Sequence, residues 1–216
     1  MVGEWRFEDA DELFVFVHGL NTTAEGARDQ AYTAELGFDP IYPTPVVGYS
    51  WDSDTDWSSA KRNADVNGVP LAEWLIKWAD TDGRPINLLG YSLGARVSCE
   101  ALSVLAERGR EGIPASVTLL GGAIPDDSVH VDGRYGDPIE AVDAPVRNFY
   151  SGNDRVLGWI YRAAERTRAV GYSGIRDTAR APSGYRDVDV TDLVADHHSY
   201  FQPAEGCLPR VVEYLD

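Results

Sequence analysis

The 216-residue sequence predicts an α/β fold with a mostly parallel sheet and helices on both faces. Short apolar runs without polar alternation, such as residues 13–17, are typical of strands that are buried on both faces. These runs alternate along the chain with segments of helical spacing, an order that builds a parallel sheet. The sequence contains no internal repeat, low-complexity tract or linker, so we expect residues 1–216 to form a single domain.

The predicted strands are short and regularly placed. Alternating Trp5 and Phe7 predict a short edge strand within the acidic residues 1–12. Buried strands are predicted at residues 13–17, 46–51, 86 to about 90, 115–120 and 146–150. Residues 185–190 alternate polar and apolar side chains and predict a half-exposed edge strand. Residues 121–143 and 171–184 are expected to be irregular.

Helices are predicted at residues 24–36, 58–79, from about 93 to 109, 155–168 and 204–215. The first would be capped by Thr22 or Thr23 and ended by Gly37. The second has an apolar stripe and a possible break at Gly68, with Pro70 suited to a first helical turn.

The stretch from Gly90 to Gly94 reads Gly-Tyr-Ser-Leu-Gly and lies between a predicted buried strand and a predicted helix. This context is typical of a nucleophile elbow, a sharp turn that exposes a serine hydroxyl at the edge of the sheet. The helix start would direct amide N–H groups at a developing oxyanion. Residues 48–50 and 171–173 repeat Gly-Tyr-Ser without completing the motif, so Ser92 is the candidate nucleophile.

A serine hydroxyl becomes nucleophilic when a histidine accepts its proton and a carboxylate orients that histidine. Asp154 is the candidate carboxylate because it closes a tight Ser-Gly-Asn-Asp turn directly after the strand at 146–150. Asp126 and Asp127, which follow the preceding strand, are the alternatives.

Four histidines could supply the base. His18 precedes the serine and suits a structural or oxyanion-loop role, and His130 lies in a polar stretch where we expect an exposed side chain. His197 and His198 both follow the last predicted strand, and their residue physics alone does not separate them. An oxyanion hole needs two N–H donors, expected from Leu93 and from Leu20 or Asn21.

Residues 14–21, 48–51 and 90–97 together resemble the α/β-hydrolase superfamily, in its esterase/lipase-like branch of largely uncharacterised domains. That branch has an HG-x-N loop, a strand ending in Ser-Trp and a G-x-S-x-G elbow, and the resemblance extends from about residue 13 to 200. It implies a minimal α/β-hydrolase fold. Because no large insertion separates the last predicted strands, we expect no sizeable lid. His-x-x-Tyr near the end of such chains would make His197 the base.

The resemblance implies a serine hydrolase that cleaves a carboxylic ester or thioester through an acyl-enzyme. Ser92 would be the nucleophile, Asp154 the orienting acid and His197 the base. The alternatives are a catalytically silent binding protein of the same fold and an acyltransferase with the same triad. Tryptophans near the strand ends would suit short or medium acyl groups in an open cleft, or would lie in the core: Trp51, Trp57 and Trp159.

The net charge of −16, from 35 acidic and 19 basic residues, predicts a field that repels nucleic acid and anionic membranes. Such acidity also favours an origin in a salt-loving organism. Because the chain lacks both a signal peptide and an apolar run of ~20 residues, we expect a cytoplasmic protein without a membrane span. Its expected partner is a small-molecule ester or thioester.

The sequence contains two cysteines, Cys99 and Cys207, which cannot make a disulfide framework. Cysteine and histidine residues are also too scattered for a metal site. The proposed chemistry therefore predicts no metal and no other cofactor.

Overall fold

The computed structural model of the protein describes residues 9–215. Six strands form one sheet: β1 (Leu13–Val17), β2 (Val46–Tyr49), β3 (Ile86–Tyr91), β4 (Ser116–Leu120), β5 (Val146–Tyr150) and β6 (Tyr185–Asp189). Their spatial order is β2-β1-β3-β4-β5-β6, and all five neighbouring pairs are parallel. The predicted α/β architecture is confirmed. The edge strand predicted around Trp5 and Phe7 lies outside the described residues.

Seven α-helices lie within the described residues: α1 (Ala24–Phe38), α2 (Trp57–Thr81), α3 (Gly94–Glu107), α4 (Gly136–Val142), α5 (Arg162–Glu165), α6 (Val170–Ser173) and α7 (Leu208–Val212). A π-helical turn at Val156–Tyr161 precedes α5, and a 3₁₀ turn covers Thr178–Arg180. Of the helices in residues 9–215, none combines the length and the apolar character that crossing a bilayer requires.

Helices cover both faces of the sheet, as predicted. In β1, Phe14 and Phe16 point to the face that α1 and α7 cover, whereas Val15 and Val17 point to the face that α2, α3 and α4 cover. All five side chains of β1 are fully buried. Burial on both faces explains why this strand is a continuous apolar run rather than an alternating one.

The predicted end of α1 at Gly37 is wrong, because the helix continues to Phe38. A methyl group at Gly37 would lie 2.7 Å from Cδ1 of Leu208, so this glycine allows α7 to pack closely on α1. The predicted cap is present, since the Thr23 hydroxyl accepts a hydrogen bond from the Gly26 N–H at 3.1 Å.

Neither Gly68 nor Pro70 interrupts α2, contrary to the predicted break and new first turn. A methyl group at Gly68 would stand 2.3 Å from Cβ of Glu100, so this glycine marks the close crossing of α2 and α3. Pro70 lies on the exposed side of the helix, where water can bond the carbonyl that loses its N–H partner.

The helix boundaries after β4 differ most from the predictions. The segment 121–143 was expected to be irregular but contains α4, and 171–184 contains the end of α6 and the 3₁₀ turn. The helix predicted at 155–168 divides into the π turn and α5, and the residue after α5, Arg166, has a left-handed φ of 58°. The helix predicted at 204–215 is limited to α7, because Pro209 fits only its first turn.

Candidate active site

Ser92 occupies a sharp turn between β3 and α3 and has a left-handed φ of 53°. Few non-glycine residues adopt this conformation, and the surrounding backbone holds it in place. The Ser92 N–H donates to the carbonyl of Leu120 at 3.0 Å, and its own carbonyl accepts from Ala95 and Ala123 at 3.1 and 2.9 Å. The side chain therefore projects at the carboxyl edge of the parallel sheet, where sites in such folds are found.

Two glycines let the loop after β1 pack directly on this turn. A methyl group at Gly94 would stand 2.0 Å from the carbonyl oxygen of Val17 and 2.6 Å from that of His18. A methyl group at Gly19 would lie 2.8 Å from Cβ of Ser92. Only glycine fits at either position without moving the backbone.

The ring of His197 lies between the serine hydroxyl and a carboxylate. Its Nε2 is 2.9 Å from Oγ of Ser92, and its Nδ1 is 2.6 Å from Oδ2 of Asp154. The second carboxylate oxygen of Asp154 accepts the Leu157 N–H at 2.9 Å, which fixes the plane of the carboxylate. The carboxylate is fully buried, and His197 is 5% exposed. This geometry allows the imidazole to remove the hydroxyl proton while Asp154 holds its tautomer.

The two alternative aspartates have other partners. The buried carboxylate of Asp126 contacts Arg168 at 3.0 Å and Arg176 at 2.6 Å, and Asp127 contacts Arg176 at 2.8 Å. Both carboxylates therefore connect the loop after β4 to the segment that follows α5, away from the histidine.

The remaining histidines near the chain's end and middle also lie apart from Ser92. His198 is exposed, and only its backbone N–H bonds the Asp196 carboxylate. His130 was expected to be exposed but is buried, with 4% of its surface exposed, because the loop around it packs Val129 and Tyr135 into the core. His130 lines a polar cavity of about 530 Å³ between α2, α3 and this loop.

His18 organises the loop that follows β1. Its Nδ1–H donates to the Gly19 carbonyl at 3.0 Å, its Nε2 accepts the Trp51 backbone N–H at 3.1 Å, and its carbonyl accepts the Trp51 indole N–H at 2.9 Å. The two rings stack with centroids 5.4 Å apart. Burial lowers the pKa of His18, which favours the neutral ring that these bonds require.

The N–H groups of Leu20 and Leu93 have no hydrogen-bond acceptor within residues 9–215. Leu93 follows the serine at the start of α3, and Leu20 belongs to the loop that contacts the serine through Gly19. The Asn21 N–H is already committed to the Ser53 carbonyl at 3.0 Å. Of the two loop residues that the sequence left open, only Leu20 thus has an N–H free for an oxyanion.

Two tyrosines that the sequence did not assign to the site hold His197 in position. The Tyr91 hydroxyl donates to the His197 carbonyl at 2.9 Å, and its ring centroid lies 5.2 Å from the imidazole. The Tyr200 ring meets the imidazole edge-on at 6.4 Å, and its hydroxyl donates to the Gly171 carbonyl at 3.1 Å. The signals available were the tyrosine before Ser92 and the His-x-x-Tyr spacing.

The three tryptophans considered for an acyl cleft occupy different environments. Trp51 is buried against His18, and Trp57 packs edge-on against Tyr161 while donating its indole N–H to Glu165 at 2.6 Å. Trp159 is 75% exposed. Of the three tryptophans, therefore, only Trp51 lies fully in the core.

Both cysteines are buried as free thiols in opposite layers, Cys99 within α3 and Cys207 at the start of α7. Burial raises the pKa of both thiols, to about 12 for Cys207. Within residues 9–215, no three His, Cys, Asp or Glu side chains are grouped to hold a metal ion.

Residues 32–212 match the protein family described as "Protein of unknown function (DUF726)". The chain is 37% identical over 177 residues to "Transmembrane and coiled-coil domain-containing protein STS1" of Oryza sativa subsp. japonica, covering 81% of this chain and 25% of that protein. It is 29% identical over 173 residues to "Probable lipase MIL1" of Saccharomyces cerevisiae, covering 79% of this chain and 15% of that protein. The chain thus spans a quarter or less of these relatives.

Among solved structures, lipase BlEst2 of Bacillus licheniformis superposes with a TM-score of 0.56 at 19% identity, covering 96% of this chain and 93% of that one. The esterase domain of a Rhodothermus marinus protein gives a TM-score of 0.55 at 16% identity, covering 97% and 86%. At such identities the likeness is one of fold. Together with the all-parallel sheet, it confirms the predicted minimal α/β-hydrolase fold.

Proposed function

We propose that this chain, which belongs to the DUF726 family, is a serine hydrolase that cleaves a carboxylic ester or thioester through an acyl-enzyme. The observation that carries the proposal is the His197 ring, bonded through Nε2 to Ser92 and through Nδ1 to Asp154. Further support comes from the printed name of the yeast relative, a probable lipase, and from the hydrolase fold.

In the acylation step, Oγ of Ser92 attacks the carbonyl carbon of the substrate while Nε2 of His197 accepts the hydroxyl proton. The tetrahedral oxyanion accepts hydrogen bonds from the N–H groups of Leu20 and Leu93. The bond to the leaving alcohol or thiol then breaks, and the leaving group takes the proton from His197. The acyl group remains as an ester on Ser92.

In the deacylation step, a water molecule attacks the acyl carbonyl and His197 accepts its proton. The same two N–H groups hold the second oxyanion. Collapse of this intermediate returns the proton to Ser92 and releases the carboxylic acid. Asp154 stabilises the imidazolium that forms in both steps, and its bond to the Leu157 N–H keeps the carboxylate oriented.

Covalent labelling tests the nucleophile without knowledge of the natural substrate. We expect a fluorophosphonate probe to label the folded wild-type protein in molar KCl and to leave Ser92→Ala unlabelled. Ser103→Ala is the matched control, because Ser103 lies on the same helix as Gly94 and bonds only the Cys99 carbonyl. A folded wild-type protein without labelling would favour the catalytically silent binding protein.

Turnover separates the remaining reactions. We expect hydrolysis of p-nitrophenyl acetate or butyrate by wild type and none by Ser92→Ala. If an added alcohol acceptor receives the acyl group faster than water does, the chain is an acyltransferase with the same triad. If the probe labels Ser92 but neither reaction proceeds with these esters, the ester specificity in this proposal is wrong.

A further inference from the structure

The segment that follows Asp154 carries the two most exposed large apolar side chains of residues 9–215. Trp159 is 75% exposed and Ile160 is 67% exposed, and both belong to the π-helical turn. Single exposed apolar residues are ordinary, whereas two adjacent ones form a small contiguous apolar patch beside the site. The inner side of the same turn is packed, since Leu157 and Tyr161 are buried.

Three arginines flank this apolar pair in the sequence. Arg155, Arg162 and Arg166 are exposed, and no carboxylate within the described residues forms an ion pair with any of them. The one acidic side chain between them, Glu165, is bound by Lys61 at 2.7 Å and by the Trp57 indole. The three arginines therefore form a local concentration of unpaired positive charge in a chain whose net charge is −16.

The cluster lies at the same edge of the sheet as the candidate active site. The π turn begins two residues after Asp154, and the Leu157 N–H in that turn bonds the Asp154 carboxylate at 2.9 Å. A surface that binds this turn would therefore lie beside the carboxyl ends of the strands, where Ser92 also lies.

We propose that the Trp-Arg patch (Arg155, Trp159, Ile160, Arg162 and Arg166) docks the chain on an anionic lipid surface, so that Ser92 meets the ester of a membrane lipid. The lipid-ester part rests on the proposed hydrolase function. The docking part rests on the patch alone.

The chemistry of the patch fits a lipid interface better than other polyanions. Tryptophan partitions to the headgroup level, and isoleucine gains by entering the acyl boundary, which a nucleic acid does not offer. Unpaired arginines bind lipid phosphates and carboxylates. The net charge of −16 means that the same membrane repels the chain as a whole, which favours an approach by this face. The repulsion predicted from net charge thus becomes an orienting force.

Vesicle co-sedimentation tests the docking. The protein carries Ser92→Ala so that no lipid is consumed, and circular dichroism verifies that each variant is folded. We expect binding to vesicles of phosphatidylcholine with about one third phosphatidylserine, weaker binding to phosphatidylcholine alone, and a fall in binding with added salt. Replacing the three arginines with Gln should lower the partition coefficient about 100-fold. Trp159→Ser with Ile160→Ser should also lower it.

Matched controls come from other exposed positions. Val66→Ser removes a side chain that is 65% exposed on α2, and Arg28→Gln removes an exposed arginine on α1. Both should bind vesicles as the Ser92→Ala parent does. Equal partition of the patch variants and the parent overturns the proposal. So does binding to heparin or an oligonucleotide without binding to vesicles.

Hydrolysis of soluble p-nitrophenyl butyrate separates this proposal from the hydrolase function. The triple arginine variant with Ser92 restored should hydrolyse the soluble ester at the wild-type rate and lose activity only on vesicle lipid. Vesicle binding by a protein without any ester hydrolysis would retain the docking and overturn the lipid-ester part. A loss of soluble-ester activity in the triple arginine variant would contradict docking as the role of these arginines.

Discussion

The Tyr91 hydroxyl donates a hydrogen bond of 2.9 Å to the backbone carbonyl of His197, linking the residue before the elbow serine to the candidate base. Because the bond is buried and joins the end of β3 to a loop 106 residues later in the sequence, we infer that Tyr91 positions the imidazole. Burial raises the pKa of Tyr91, so its hydroxyl stays protonated and remains a donor.

Tyr91→Phe keeps the aromatic packing and removes this bond. We expect kcat for p-nitrophenyl butyrate to fall about 3- to 10-fold, corresponding to the roughly 0.5–1.5 kcal/mol of a buried hydrogen bond. KM should change little. Tyr150→Phe is the control, because its hydroxyl bonds only Asp189 on the edge strand. Equal kcat values for both variants and wild type would show that Tyr91 is not a positioning residue.

Asp154→Asn preserves the shape of the carboxylate but not its charge. We expect kcat to fall by about four orders of magnitude, because the histidine loses its correct tautomer and the imidazolium loses its stabilising charge. Asp126→Asn is the matched control in an equally buried carboxylate that contacts Arg168 and Arg176. It should lower the free energy of unfolding without lowering kcat. The reverse result would make Asp126 the acid.

Substitutions of the adjacent His197 and His198 test which of the two acts as the base for Ser92. His197→Gln should lower kcat by at least about three orders of magnitude, since no other base within residues 9–215 contacts Ser92. His198→Gln changes an exposed ring and should leave kcat within about twofold of wild type. Rates of fluorophosphonate labelling provide a second readout. If ester hydrolysis and fluorophosphonate labelling were lost in His198→Gln but not in His197→Gln, His198 would be the base instead.

Because its pKa is lowered in the folded protein, His18 should make part of the free energy of unfolding depend on pH. Its folded pKa lies below the ordinary value of 6.5 because burial disfavours the charged ring. The unfolded chain therefore binds a proton at His18 in a range where the folded chain does not. This contribution is complete above about pH 6.5 and is lost as pH falls towards the folded pKa.

Urea unfolding at several pH values between 5 and 8 measures this component. We expect the free energy of unfolding to decline more steeply with falling pH in wild type than in His18→Gln. The variant should also be less stable at pH 8, since it loses the bonds to Gly19 and Trp51. Curves of equal slope would mean that His18 does not titrate on unfolding in this range.

The acidic composition predicts a stability that increases with salt. We propose that the chain is adapted to high salt, and we expect a higher free energy of unfolding in molar KCl than in dilute buffer. The cause is screening of the repulsion among 35 acidic residues, which only 19 basic residues offset, with a Debye length of roughly 3 Å at 1 M. Molar NaCl should act similarly. Equal stability in molar KCl and in dilute buffer contradicts this adaptation.

Sequence patterns predicted the sheet well because buried parallel strands have a distinct composition. β1 and β5 agree with the predicted bounds, and β6 lies at the sheet edge as its alternation indicates. Helix ends were predicted less well, since Gly37 and Gly68 serve close packing between helices rather than chain termination. That role depends on which helix lies opposite, and local sequence does not contain this information.

The candidate site was predicted in part. Its residues follow strand ends, so their meeting at one edge could be inferred, and the structure places Ser92, Asp154 and His197 within hydrogen-bonding distance. Their catalytic roles stay predictions. His197 and His198 are adjacent, so which of them faces Ser92 depends on the local backbone conformation. The role of Tyr91 depends on a contact with a residue 106 positions later in the sequence. Neither follows from periodicity.

The order of strands in the sheet has a consequence for how the protein reaches its working state. Ser92 and His197 are 105 residues apart, and the histidine follows β6, which comes last in sequence among the six described strands and forms an edge of the sheet. Parallel pairing over such separations is slow to form. The site would therefore assemble only when β6 has paired with β5. In a refolding experiment, the return of activity would then report the completion of folding rather than the formation of the first helices.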